Sequence, residues 1–226
     1  MGLPLFLLYE GLLLFSSIGR GMHVRVGADI WIKQALELVG VYGMQALAAI
    51  VLISGILVFW YERRRSIPLR WGYFGWIVVE SALYAVVLAF LVGGVVGFIF
   101  GMGVWPDLMA QVQELPLSWL LILSIGAGLY EELVFRVLLV GGMYLALRNL
   151  LRKPAWAYPI AAVVGALIFS WVHYIGPFGD PFALSSFTFR FLFGLALNVV
   201  FLWRGFAVAA WTHALYDVFV VTGMLG

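Results

Sequence analysis

Apolar residues run along this chain in long blocks separated by short polar connections, and the blocks match the length of a membrane crossing. A bilayer core of about 30 Å needs about 20 apolar helical residues. On that criterion the pattern predicts spans near 3–18, 40–60, 72–103, 117–147, 156–173, 185–203 and 206–224. The third and fourth blocks exceed a single upright crossing. The third places Gly93, Gly97 and Gly101 on one helix face, a surface suited to close helix contact, unless the adjacent Gly93-Gly94 pair marks a break. The expected fold is all-α: a polytopic transmembrane bundle of about seven helices, forming one transmembrane domain over 1–226 with a motif-bearing core at 117–224.

Composition strengthens this reading. Hydrophobic residues make up 65% of the chain and charged residues 11%, against about 25% charged in soluble domains. A net charge of +2 gives no footprint for nucleic acid, so the expected surroundings are a lipid bilayer. Cysteine is absent, which removes disulfides, thiolate metal sites and a cysteine nucleophile. The first apolar block lacks preceding basic residues and contains Glu10, so it reads as a retained helix rather than a cleaved signal.

Lys and Arg set the expected orientation. Arg63, Arg64, Arg65 and Arg70 form one basic cluster, and Arg148, Arg152 and Lys153 another, with Arg204 in a tight connection before the last helix. The intervening loops carry Asp107, Glu114 and Asp180. With positive loops on the cytoplasmic side, the N-terminus faces the cytoplasm after seven crossings and the C-terminus lies outside. The mildly basic segment from Arg20 to Lys33, read as an external connection, fits this scheme least well.

Three patterns break the apolar blocks: Glu131-Glu132-x-x-x-Arg136, Phe169-x-x-x-His173 and His213-x-x-x-Asp217. Ionisable groups at membrane depth cost at least about 2.5–3.5 kcal/mol each, so they mark candidate functional sites. Residues four apart share a helix face, which pairs Glu132 with Arg136 and turns Glu131 about 100° away. Glu131 is then free to serve as a general base, although all three residues could instead form a buried ionic lock. His173 closes its span and reads either as a site residue or as an interfacial hydrogen-bonding group. The spacing of His213 and Asp217 suits an imidazole fixed by a carboxylate, two ligands on one metal ion, or a structural ion pair. Glu10, Glu80 and Arg190 also interrupt apolar spans and are expected to form structural pairs. Trp171 and Tyr174 flank His173, either lining the site or belonging to an interfacial aromatic belt.

The ordered trio resembles the CAAX protease and bacteriocin-processing (Abi) family of intramembrane proteases. The motifs of that family are Glu-Glu-x-x-x-Arg, Phe-x-x-x-His and His-x-x-x-Asn or Asp, and all three occur here within residues 131–217. The resemblance implies an intramembrane endopeptidase in a prokaryotic cell membrane, acting on a membrane-associated protein or peptide. Glu131 would activate water and His173 would orient it, with Glu132 and Arg136 supporting the first glutamate. His213 and the residue at 217 would stabilise the oxyanion. An ionised Asp217 would repel an oxyanion, so its expected role is to hold His213 as the imidazolium. The favoured site needs no cofactor. Were a metal bound, zinc held by Glu131, His173, His213 and Asp217 would be the candidate arrangement. A prenylated tail, a bacteriocin-type leader and a C-terminal sorting helix all remain open as substrates. Two other classes also stand: a non-catalytic membrane immunity factor and a proton-coupled transporter.

Overall fold

The computed structural model describes residues 2–17, 25–38, 40, 53, 56, 60, 64, 71–101, 115–176 and 179–225. Seven helices order them: α1 (Leu3–Ser17), α2 (Gly27–Leu38), α3 (Trp71–Phe100), α4 (Leu117–Leu150), α5 (Ala157–Val172), α6 (Leu184–Arg204) and α7 (Phe206–Val221). No strand occurs among the described residues. Among the described residues, four helical stretches are long and apolar enough to cross a membrane: Gly72–Phe100, Leu117–Leu150, Pro154–Val172 and Leu184–Arg204. The protein is an integral membrane protein of the all-α class.

The expected spans coincide with helices at α1 and at α3 to α7, of which α1 and α7 are shorter apolar helices than the four of crossing length. Helix α3 runs unbroken through Gly93-Gly94 and stops where Gly101 takes φ 63°. Helix α4 spans 34 residues, about 50 Å at 1.5 Å per residue, so its Arg148 end projects beyond a bilayer core. The expected crossing near 40–60 lies almost entirely outside the described residues, as do Arg63, Arg65, Arg70, Asp107 and Glu114.

The expected connection from Arg20 to Lys33 is corrected, because its second half belongs to helix α2. Hydropathy misses α2 because it is short and carries three charged residues, Asp29, Lys33 and Glu37. Asp29, in its first turn, is fully buried and pairs with Arg25 at 2.7 Å and Lys33 at 2.6 Å. An acid at the start of a helix also complements the macrodipole.

Helix α7 is the hub. It is buried on all sides from Val208 to Ala214 and again at Tyr216, against α3, α4 and α6. Its alanines let α4 approach closely. A Cβ on Gly128 of α4 would lie 2.5 Å from the Ala210 carbonyl and the Ala214 side chain. Only glycine fits that contact, so packing here follows the small-residue logic of membrane bundles. Gly205, at φ 83°, supplies the left-handed residue that reverses the chain directly from α6 into α7. The reversal places His213 opposite the middle of α4.

Candidate functional site: a carboxylate–histidine centre in the bundle

The centre begins where α4 changes helical type. Residues Leu117–Glu132 are α-helical and Leu133–Val140 are π-helical, before α-helix resumes at Gly141. Single π turns are rare and recur at functional sites. This one starts immediately after the glutamate pair. It retains the Glu132–Arg136 pairing expected from spacing: Nη1 of Arg136 lies 3.0 Å from Oε1 of Glu132, an ion pair without hydrogen-bond alignment. Both side chains are sealed, at 0% and 1% exposure. Arg136 also donates through Nη2 to the Gly194 carbonyl of α6 at 3.4 Å, and its guanidinium lies 4.5 Å from the Phe169 ring centre.

Glu132 has a second partner that spacing on one helix could not reveal. Nδ1 of His213 lies 2.7 Å from Glu132 Oε1, the same oxygen that faces Arg136. With the carboxylate accepting, Nδ1 carries the proton and Nε2 points the other way. The expectation gave the orientation of His213 to Asp217. Instead, Glu132 makes the orienting hydrogen bond, and Asp217 Oδ2 lies 3.7 Å from His213 Nε2. One helical turn brings Asp217 beside the ring but not into hydrogen-bond geometry.

His173 caps the end of α5, and its Nδ1 lies 2.7 Å from the Phe169 carbonyl. A carbonyl only accepts, so Nδ1 donates and Nε2 is left facing the cluster. Glu131 Oε2 then lies 3.9 Å from Nε2 of His173 and 3.9 Å from Nε2 of His213. These separations are too long for direct hydrogen bonds and fit a single bridging water. Glu131, His173 and Asp217 retain 17%, 26% and 27% side-chain exposure, against 0% for Glu132. The accessible acid and the sealed acid are therefore adjacent residues.

The helices that carry residues 131, 173, 213 and 217 thus bring all four side chains around one point. Phe169, quoted in the motif but given no role, is the aromatic hub behind it. Its ring meets His173 at 5.0 Å, His213 at 5.9 Å and Phe135 at 5.2 Å, all edge-on. Phe193 closes the other side of His213 at 6.0 Å; nothing in its local sequence marks it.

Metal ligation fits poorly. Tetrahedral zinc with bonds of about 2.0–2.1 Å sets its ligand atoms about 3.3 Å apart. The separations of 3.9 Å from Glu131 to either histidine approach the limit for two ligands on opposite sides of an ion. Among the described residues no group of three or more His, Asp or Glu side chains is arranged to hold a metal.

The other intramembrane charges are paired. Glu80 meets Arg204 at 2.6 Å, Glu10 meets Arg25 at 3.4 Å, and Arg190 contacts Asp180. No curated protein and no solved structure matches the chain. Residues 113–219 match the family described as Type II CAAX prenyl endopeptidase Rce1-like, a range that contains all three motifs and the whole centre. That match agrees with the family resemblance of the motifs: over residues 113–219 this chain is similar to the Rce1-like CAAX prenyl endopeptidases.

Proposed function

We propose that the protein is an intramembrane endopeptidase in which Glu131 activates a water molecule for direct attack on a peptide bond. The observation that carries this reading is the position of Glu131 Oε2, one water away from the Nε2 atoms of both His173 and His213. A general base must reach the proton it removes directly or through one water. Neither an immunity factor nor a transporter requires this convergence.

The water sits between Glu131 and His173, which orients it through Nε2. Glu131 takes its proton while the oxygen bonds to the scissile carbonyl carbon. The developing oxyanion receives a hydrogen bond from Nε2 of His213 as imidazolium, a donor held in place beforehand by Glu132 at the opposite nitrogen. Asp217 stabilises the imidazolium from 3.7 Å without contacting the oxyanion. The tetrahedral species then collapses: the C–N bond breaks, the proton on Glu131 passes to the leaving nitrogen, and a carboxylic acid and an amine result, which exchange a proton to give carboxylate and ammonium. No metal enters any step.

The family description names prenylated CAAX ends as substrates, and a lipidated chain end would present its peptide bond at a membrane-embedded centre. The test uses purified protein in liposomes with an internally quenched, farnesylated CAAX peptide, the scissile bond being mapped by mass spectrometry. Cleavage that persists with a zinc chelator is expected. Cleavage lost with chelator and restored by zinc would overturn the metal-free mechanism, and no cleavage at all would overturn the substrate assignment.

A further inference from the structure

Arg190 lies near the start of α6 and pairs with Asp180 rather than with a carboxylate of the centre, and its bonds converge on His173. Its Nη1 donates to the Tyr174 hydroxyl at 2.8 Å and to the Ser186 hydroxyl at 3.0 Å. Its Nη2 makes a close charged contact with Asp180. The Tyr174 hydroxyl in turn donates to Ser186 at 2.8 Å, and the guanidinium lies 5.1 Å from the Tyr174 ring centre.

Both partners lead to the same residue. The Asp180 N–H donates to the His173 carbonyl at 2.8 Å, and Tyr174 follows His173 directly in the chain. His173 itself is the C-cap, one residue past the end of α5, and its ring is held by a carbonyl of that helix. Where Nε2 points therefore depends on where the final turn of α5 stops. Within α5 the last turn is tied to α6 one turn earlier, where Ser170 Oγ donates to the Phe187 carbonyl at 2.7 Å, but that bond does not reach past His173. The Arg190 fork holds the residues beyond that turn, with Tyr174 on one side and Asp180 on the other.

We infer that Arg190 is a positioning residue, which sets the place of His173 through Tyr174 and Asp180. It does not hold substrate, because both terminal nitrogens of a guanidinium with only 13% exposure are already engaged. Bidentate geometry is what arginine supplies and lysine lacks. A displacement of about 1 Å in a reacting group can cost on the order of 10²-fold in rate.

This inference rests on the proposed role of His173, and its test separates the two. The full-length protein in liposomes is treated with diethylpyrocarbonate, and carbethoxylation of His173 and His213 is followed by mass spectrometry. In Arg190→Gln the His173 rate should rise at least about fivefold relative to His213, as local opening of one turn predicts. Arg190→Lys should fall between the variant and the wild type. Tyr174→Phe, which removes one hydroxyl, carries the test if Arg190→Gln does not fold. With the farnesylated peptide, kcat should fall about 10–100-fold while KM stays within about threefold. An unchanged His173 rate, a change shared equally by His213, or a rise in KM with kcat intact would overturn the assignment. A wild type that cleaves nothing would sink the proposed function while the labelling still decides the positioning.

Discussion

Two buried ionic clusters lie on opposite sides of the same turn of α4, and they differ in how their charges balance. On one side, α1 and α2 bring Glu10 and Asp29 against Arg25 and Lys33. Asp29 lies 2.7 Å from Arg25 and 2.6 Å from Lys33, and the hydroxyls of Tyr9 and Tyr130 donate to Asp29 and Glu10 at 3.2 and 3.1 Å. Two carboxylates meet two cations. On the other side Glu131, Glu132 and Asp217 meet one arginine and two histidines. Tyr130 points into the first cluster and Glu131, the next residue, into the second. The balanced cluster fastens helices together. The acid-rich one leaves a carboxylate without a fixed cation, and such a group is available for proton transfer.

The largest effect expected from breaking this contrast is at Glu131. Glu131→Gln keeps the shape of the side chain and removes the base, so proteolysis should fall about 10²–10⁴-fold. The melting temperature should stay within about 4 °C of wild type, as read by a turnover assay beside a thermal melt. Glu132→Gln should act the other way. It leaves Arg136 without its carboxylate and weakens the hold on His213, a loss of about 3–5 kcal/mol measurable as reduced yield and stability.

On the balanced side, Asp29→Asn should lower stability by about 2–3 kcal/mol, less than at Glu132 because Arg25 and Lys33 keep 16% and 18% exposure and some access to polar surroundings. The protein that folds should retain its kcat. A large loss of kcat at unchanged stability would erase the distinction between the clusters. The smallest effect is expected for Asp217→Asn, at most about tenfold in kcat, because Glu132 rather than Asp217 makes the hydrogen bond to His213.

What the sequence could convey divides along the same lines. Pairings within one helix were legible: Glu132 with Arg136 follows from four-residue spacing, and the structure contains that pair. The bond from His213 to Glu132 joins residues 81 positions apart and depends on how α7 packs on α4, which periodicity does not encode. The π-helical stretch was equally invisible, since Leu133–Val140 is apolar throughout apart from Arg136. Helix α2 escaped because its 12 residues include Asp29, Lys33 and Glu37 and fall short of a membrane-length apolar block. A partner for Arg190 was expected among the acids, but only the fold selects Asp180.

The central claim is a water poised between Glu131 and the two histidines, and an experimental structure that resolves ordered solvent and carries anomalous data at the zinc edge tests it most directly. The account predicts one water within about 3.2 Å of Glu131 Oε2 and of at least one histidine Nε2, with no anomalous peak. A zinc peak at that point, or Glu131 turned away toward lipid, would contradict it.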